Sequence, residues 1–282
     1  MRFVIYGAGA IGGVIGARLH KGGYEVALIA RGRHLEAIQA NGLTLETPVE
    51  RESLRLPAAS DPAELEVGRA GDVVLRAVKG QDTVTALDAL RAASLQSVPI
   101  VCLQNGVENE RVALRRQPSV YGAVVMLPAA HFEPGIVRAY GTRLTGIVDV
   151  GCYPRGSDEL SMQISAALAG SRFLSRVQED IMRLKYAKLI LNLRNVVGAL
   201  CGPGEGSEAL TEGARAEGRA ALEAAGIDFH DPEVDDLTGR WERIGVEPIN
   251  GEGPPPSSSW QSLVRGAPPG SLSPDEVLAV AA

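Results

Sequence analysis

Residues 2–13, RFVIYGAGAIGG, set an apolar, β-branched run directly against a glycine-rich turn, which passes into the helical pattern of Val14, Ile15 and Leu19. Strand, tight turn and helix follow from that order. The turn Gly7-Ala8-Gly9-Ala10-Ile11-Gly12 has GxGxxG spacing, and a second strand, EVALIAR (25–31), ends about twenty residues further on. This is the layout of a dinucleotide-binding βαβ unit. Gly7 permits the tight turn, Gly9 lets the backbone approach a pyrophosphate with no side chain in the way, and Gly12 lets the helix pack close to the strand. The helix N-terminus adds free N–H groups and a positive dipole end for phosphates. A glycine-rich turn without a ligand is the plain alternative, and the flanking strand and helix argue against it.

Working outward, DVVLRAV (72–78), PIVCLQ (99–104) and SVYGAVV (119–125) are further apolar runs separated by helical patterns. Strands buried on both faces read as continuous Val/Ile/Leu runs, so a parallel sheet is expected. Ile136 to Asp149 carries glycines and β-branched residues, which suggests more strands, parallel or antiparallel, closing an N-terminal Rossmann domain at residue 156. From Ser157 the periodicity turns helical: DELSMQISAALAGS, DIMRLKYAKLILNLRNVVGALCG and SEALTEGARAEGRAALEAAG, with Gly170, Gly202 and Gly226 at the expected C-caps. The expected fold class is α/β, a Rossmann domain (1–156) followed by a predominantly α-helical domain (157–282). NGEGPPPSSS cannot be a helix interior, and the last residues offer one short helix capped by Ser273.

The 282 residues suit two domains on the usual size of roughly 100–200 residues each. A net charge of −6 gives no basic stripe for nucleic acid. Cys102, Cys152 and Cys201 lie far apart without CxxC spacing, so neither a metal site nor a disulfide framework is expected. No stretch reaches the roughly 20 uninterrupted apolar residues of a membrane span. A soluble, cytoplasmic protein is the expectation.

An NAD site usually places Asp or Glu at the end of the second strand, where this chain has Ala30 and Arg31, with Arg33 close by. A guanidinium pairs with a 2′-phosphate, so Arg31 favours NADP(H). Two arginines on a surface loop are also compatible with simple solvated charge.

GAGAIGG (7–13), AVKGQDT (77–83), LQNGVENE (103–110) and KYAKLILNLRN (185–195) occur in that order, and together they resemble the ketopantoate reductase family, NADPH-dependent 2-dehydropantoate 2-reductases. The resemblance implies that Lys79, Asn105 and Ala130 lie at the cofactor, that Lys188 is the catalytic proton donor, and that Asn192 orients a small 2-oxo acid between the domains. Lys188 and Asn192, four residues apart, share a helical face; on periodicity alone, without the surrounding motif, Lys185 and Lys188 read better as surface charges of an amphipathic helix. The chain departs from the family pattern where a second asparagine is due at position 196: it has Val196, with Asn195 one residue earlier, so Asn195 is expected at the substrate, by a different contact or by none. Ser258, in PSSSWQSLVRG, matches a substrate-binding serine. The glutamate and closing helices that should follow are not evident, which implies a smaller C-terminal domain and a homodimer covering the apolar surface left bare. Two rivals remain: a relative that binds NADP(H) as a sensor or partner protein without efficient chemistry, and an enzyme of the 3-hydroxyacid dehydrogenase kind.

Overall fold

A computed structural model describes residues 1–93, 95, 97–201, 205–230 and 237–255. The chain opens with β1 (Arg2–Tyr6), α1 (Ala10–Lys21) and β2 (Glu25–Ile29), the unit expected from the glycine turn. Next come α2 (Gly32–Asn41), β3 (Leu43–Glu46), β4 (Arg51–Leu54) and β5 (Ala58–Ala59). β6 (Asp72–Arg76), α3 (Thr83–Ala92), β7 (Ile100–Cys102), α4 (Asn109–Leu114) and β8 (Val120–Met126) follow. β9 (Ala129–Ala130), β10 (Ile136–Ala139), β11 (Gly146–Cys152), α5 (Glu159–Gly170) and β12 (Phe173–Leu174) come before three helices, α6 (Ile181–Cys201), α7 (Glu205–Ala224) and α8 (Leu237–Glu242).

The main sheet has the order β12-β11-β8-β7-β6-β1-β2-β5. It is parallel from β5 to β8, and β11 runs antiparallel to β8. Both faces are covered, as the continuous apolar runs require. Phe3, Ile5, Val73 and Leu75 join the core that includes Val14, Ile15 and Leu19 of α1. Val4, Val74 and Ile100 join Leu87 and Leu90 of α3 on the other face. β2 and β6 flank β1, so the crossovers leave it in opposite directions and a crevice opens at the carboxyl ends of β1 and β6.

Two features differ from the sequence reading. A second sheet, β4-β3-β10-β9, packs on α1 and was not expected. The main sheet also runs past residue 156: β12 pairs with β11 beyond α5, so the helical region begins at α6. Among the described residues no helix is long and apolar enough to cross a membrane, and no cluster of His, Cys, Asp or Glu could hold a metal. Gly202, Ser258 and Ser273 lie outside the described residues.

Candidate active site

The crevice is built from the turns after β1, β6 and β7 and is faced by α6. At Gly7, φ is +104°, and a Cβ would lie 2.9 Å from the Val78 nitrogen, so a side chain is excluded twice over. At Gly12 a Cβ would fall 2.1 Å from the Gly7 carbonyl oxygen and 2.8 Å from Ile5 Cγ2, which shows how closely α1 lies on β1. Gly9 differs from both. A Cβ there would meet nothing within 4 Å, so the glycine keeps open space in front of the helix rather than relieving a clash. Gly9 is the N-cap of α1, and no side chain caps the helix. Its first amides, with those of Ala10 and Ile11, thus suit an external anion such as a dinucleotide diphosphate. Ala8 holds the turn in place: its carbonyl bonds to His34 Nε2 at 2.7 Å, and its amide donates to the Ile29 carbonyl at 3.2 Å.

Arg31 stands at the N-cap of α2 with its side chain 85% exposed, and its guanidinium donates to Asp82 Oδ2 at 2.9 Å. Lys79 precedes Asp82 in the turn after β6, so the cation after β2 and the turn after β6 face each other across the crevice. Ala130 is fully buried in β9, where it clusters with Tyr140 and Ile249, so its methyl group faces that core.

Asn105 follows β7, and its turn is tied down from below. Asn109 Nδ2 donates to the Asn105 carbonyl at 3.1 Å, Thr83 Oγ1 donates to Asn109 Oδ1 at 2.6 Å, and Gln104 Nε2 donates to Thr83 Oγ1 at 2.8 Å. With its backbone fixed, the Asn105 side chain accepts from Lys188 Nζ at 2.7 Å, and Lys188 also donates to the Val125 carbonyl at the end of β8. Lys188 lines a cavity of about 10 Å³ with Asn105, Gly106, Leu189 and Asn192, room for roughly one water-sized group. Burial, and then the positive charge of Lys185, push the Lys188 ammonium down to about 7. An amine that titrates near neutrality is suited to proton transfer.

Asn192 shares this cavity, whereas Asn195 donates to Asn192 Oδ1 at 3.3 Å. The one-residue displacement from position 196 therefore turns Asn195 into a support for Asn192, and Val196 packs into the core. The sequence reading missed the groups beneath the crevice: Thr83, Asn109, Lys185 and Glu110. Lys185 is only 4% exposed and pairs with Glu110 at 2.6 Å, so it is not a solvated surface charge. Both sit inside motifs quoted above, but their contact spans 75 residues of chain and leaves no local signal.

The family described as "Ketopantoate reductase PanE/ApbA" matches residues 3–155. A 2-dehydropantoate 2-reductase of Pyrococcus horikoshii is 31% identical over 71% of this chain, and the match spans 64% of that protein, as it does in the Pyrococcus abyssi relative. One from Mesorhizobium japonicum is 30% identical over 81% of this chain and 78% of its own length. The crystal structure of a PanE/ApbA family ketopantoate reductase from Ralstonia eutropha superposes with a TM-score of 0.76 at 30% identity, covering 95% of this chain and 87% of that one.

Proposed function

Because the chain belongs to the ketopantoate reductase PanE/ApbA family, we infer that it reduces a 2-oxo acid of the ketopantoate kind to the 2-hydroxy acid, with NADPH as reductant. The observation that carries this reading is the placement of Lys188, a half-buried amine held by Asn105 and Val125 beside the crevice that begins at Gly9.

The dinucleotide would be held by the amides of Gly9, Ala10 and Ile11, by Lys79 and Asn105, and by Arg31 at a 2′-phosphate. Bound there, its nicotinamide supplies hydride. Lys188 donates a hydrogen bond to the substrate's 2-oxo oxygen, stabilises the negative charge that gathers there, and then gives up its proton. Asn192, steadied by Asn195, orients the substrate. The ammonium is the working form for reduction, so kcat/KM stays level on the acid side and falls as pH rises through about 7.

The exposed Arg31–Asp82 pair contributes roughly 0–1 kcal/mol, so it yields readily to a phosphate. Arg31→Ala is expected to weaken NADPH binding by about 10- to 100-fold and leave NADH nearly unaffected. Equal losses for the two, measured by fluorescence titration, overturn the 2′-phosphate assignment. A homodimer belongs to the same reading, since Leu200 on α6 and Leu210 on α7 stand 71% and 57% exposed. NADPH consumption across a panel of small 2-oxo acids tests the function itself. Binding without turnover of any of them would favour a sensor or partner role instead.

A further inference from the structure

Lys185 lies one helical turn before Lys188 on α6, and the two ammonium groups grip the same two backbone segments. Lys188 bonds to Asn105 and to the Val125 carbonyl; Lys185 donates to the carbonyls of Gln104 at 2.9 Å and Ala123 at 3.4 Å. Lys185 Nζ also forms an ion pair with Glu110 Oε1 at 2.6 Å, with the two side chains 3% and 0% exposed. Glu110 projects from α4, the helix that follows the Asn105 turn. Four lysines stand among the 28 basic residues, and three of the four, Lys79, Lys185 and Lys188, border this crevice. Arginine usually serves buried ion pairs, but two carbonyls and a carboxylate gathered around one nitrogen suit the compact charge of an ammonium.

We propose that the buried Glu110–Lys185 pair is a positioning device for Lys188: it locks α6 against the Asn105 turn and β8, and it holds a fixed positive charge next to the proton donor. This rests on the reading of Lys188 as that donor. Two like charges on one helical face disfavour each other, and the Glu110 carboxylate lies against Lys185, so the repulsion falls on Lys188. The lowered ammonium of Lys188, with Lys185 as its electrostatic cause after burial, agrees.

The other charged neighbours do not compensate. Arg76, fully buried behind Glu110, donates to Cys102 Sγ and to the Asn109 carbonyl, each at 3.1 Å. Cys102 stays a thiol because burial raises it to about 11. Tyr153 and Tyr186 near Glu110 are raised by burial and remain neutral, and the Glu108–Arg111 pair is exposed. β8 offers carbonyls and apolar groups, Asp149 of β11 is engaged by Arg240, and α7 meets α6 on the Ile190 and Leu193 side through Gly218.

The test uses the full chain with Glu110→Gln, Lys185→Arg and the double variant Glu110→Gln/Lys185→Met. Two readouts are taken: the pH profile of kcat/KM, and the titration of Lys188 by NMR of ε-13C-lysine protein, whose four lysines give a simple spectrum. In the double variant both should move alkaline by on the order of one pH unit. Glu110→Gln alone leaves the Lys185 charge uncompensated and moves both toward acid. Lys185→Arg keeps the charge and the wild-type midpoint while lowering kcat. Unchanged midpoints in the double variant and in Glu110→Gln overturn the proposal. Should the double variant not fold, the acidward shift of Glu110→Gln decides alone. If no 2-oxo acid is reduced, the functional reading fails separately, because the NMR titration still reports on the pair.

Discussion

Lys188→Ala is expected to lower turnover by about 10²- to 10⁴-fold while changing the NADPH dissociation constant by no more than about twofold. The two effects separate because different parts of the chain carry them. The dinucleotide turn lies on β1 and α1, where Gly7 and Gly12 are fixed by steric contacts that do not involve α6. Lys188 instead reaches the crevice from α6, and its removal leaves the Asn105 side chain and the Val125 carbonyl without their shared donor. The Asn105 turn itself stays in place, because Asn109 Nδ2 ties its carbonyl independently of Lys188, so cofactor binding is spared. The assay is stopped-flow oxidation of NADPH alongside equilibrium titration. Parallel loss of turnover and cofactor affinity would sink the assigned role, because Lys188 would then be part of the cofactor site.

The parts of this architecture that were legible in the sequence are those set by local geometry. Gly7, Gly9 and Gly12 announce the turn because backbone conformation and close approach allow no side chain at two of them and an open approach at the third. β1, β2, β6, β7 and β8 of the main sheet were legible because both faces are buried, which leaves unbroken apolar runs. β3 and β4 were not. LTLETPVERESL is crowded with charged residues, yet Glu46 is only 3% exposed, and Arg51 and the distant Arg138 pair with it. A buried carboxylate satisfied from 92 residues away carries no periodic signal. The same limit hid Glu110 beneath Lys185. Asn195 shows a finer case: its register on the helix could be counted from the sequence, but that it would bond Asn192 depended on side-chain geometry.

Asp149→Ala is expected to destabilise the fold by about 3–5 kcal/mol, close to the largest cost a single substitution produces. Asp149 is fully buried in β11 and receives a fork from Arg240 of α8, Nη1 to Oδ2 and Nη2 to Oδ1, both at 2.8 Å. The Arg176 amide donates to Oδ1 at 3.0 Å and Gln178 Nε2 to Oδ2 at 3.2 Å. Alanine strands a guanidinium that is 4% exposed and frees two further donors, so the cost is mainly that of an unpaired buried cation. Arg240→Met is expected to cost less, since the carboxylate keeps the Arg176 and Gln178 donors. Replacing both, Asp149→Leu with Arg240→Met, should recover much of the loss, because no charge is then left without its partner. For a chain of this size the alanine variant corresponds to a fall in Tm of about 10 °C by differential scanning calorimetry. A fall of less than about 2 °C would mean that α8 does not dock on β11 through this pair. If the pair does anchor α8, the deficit of Asp149→Ala should be the same with and without saturating NADPH, because the cofactor stabilises the carboxyl ends of β1 and β6 rather than the α8 contact.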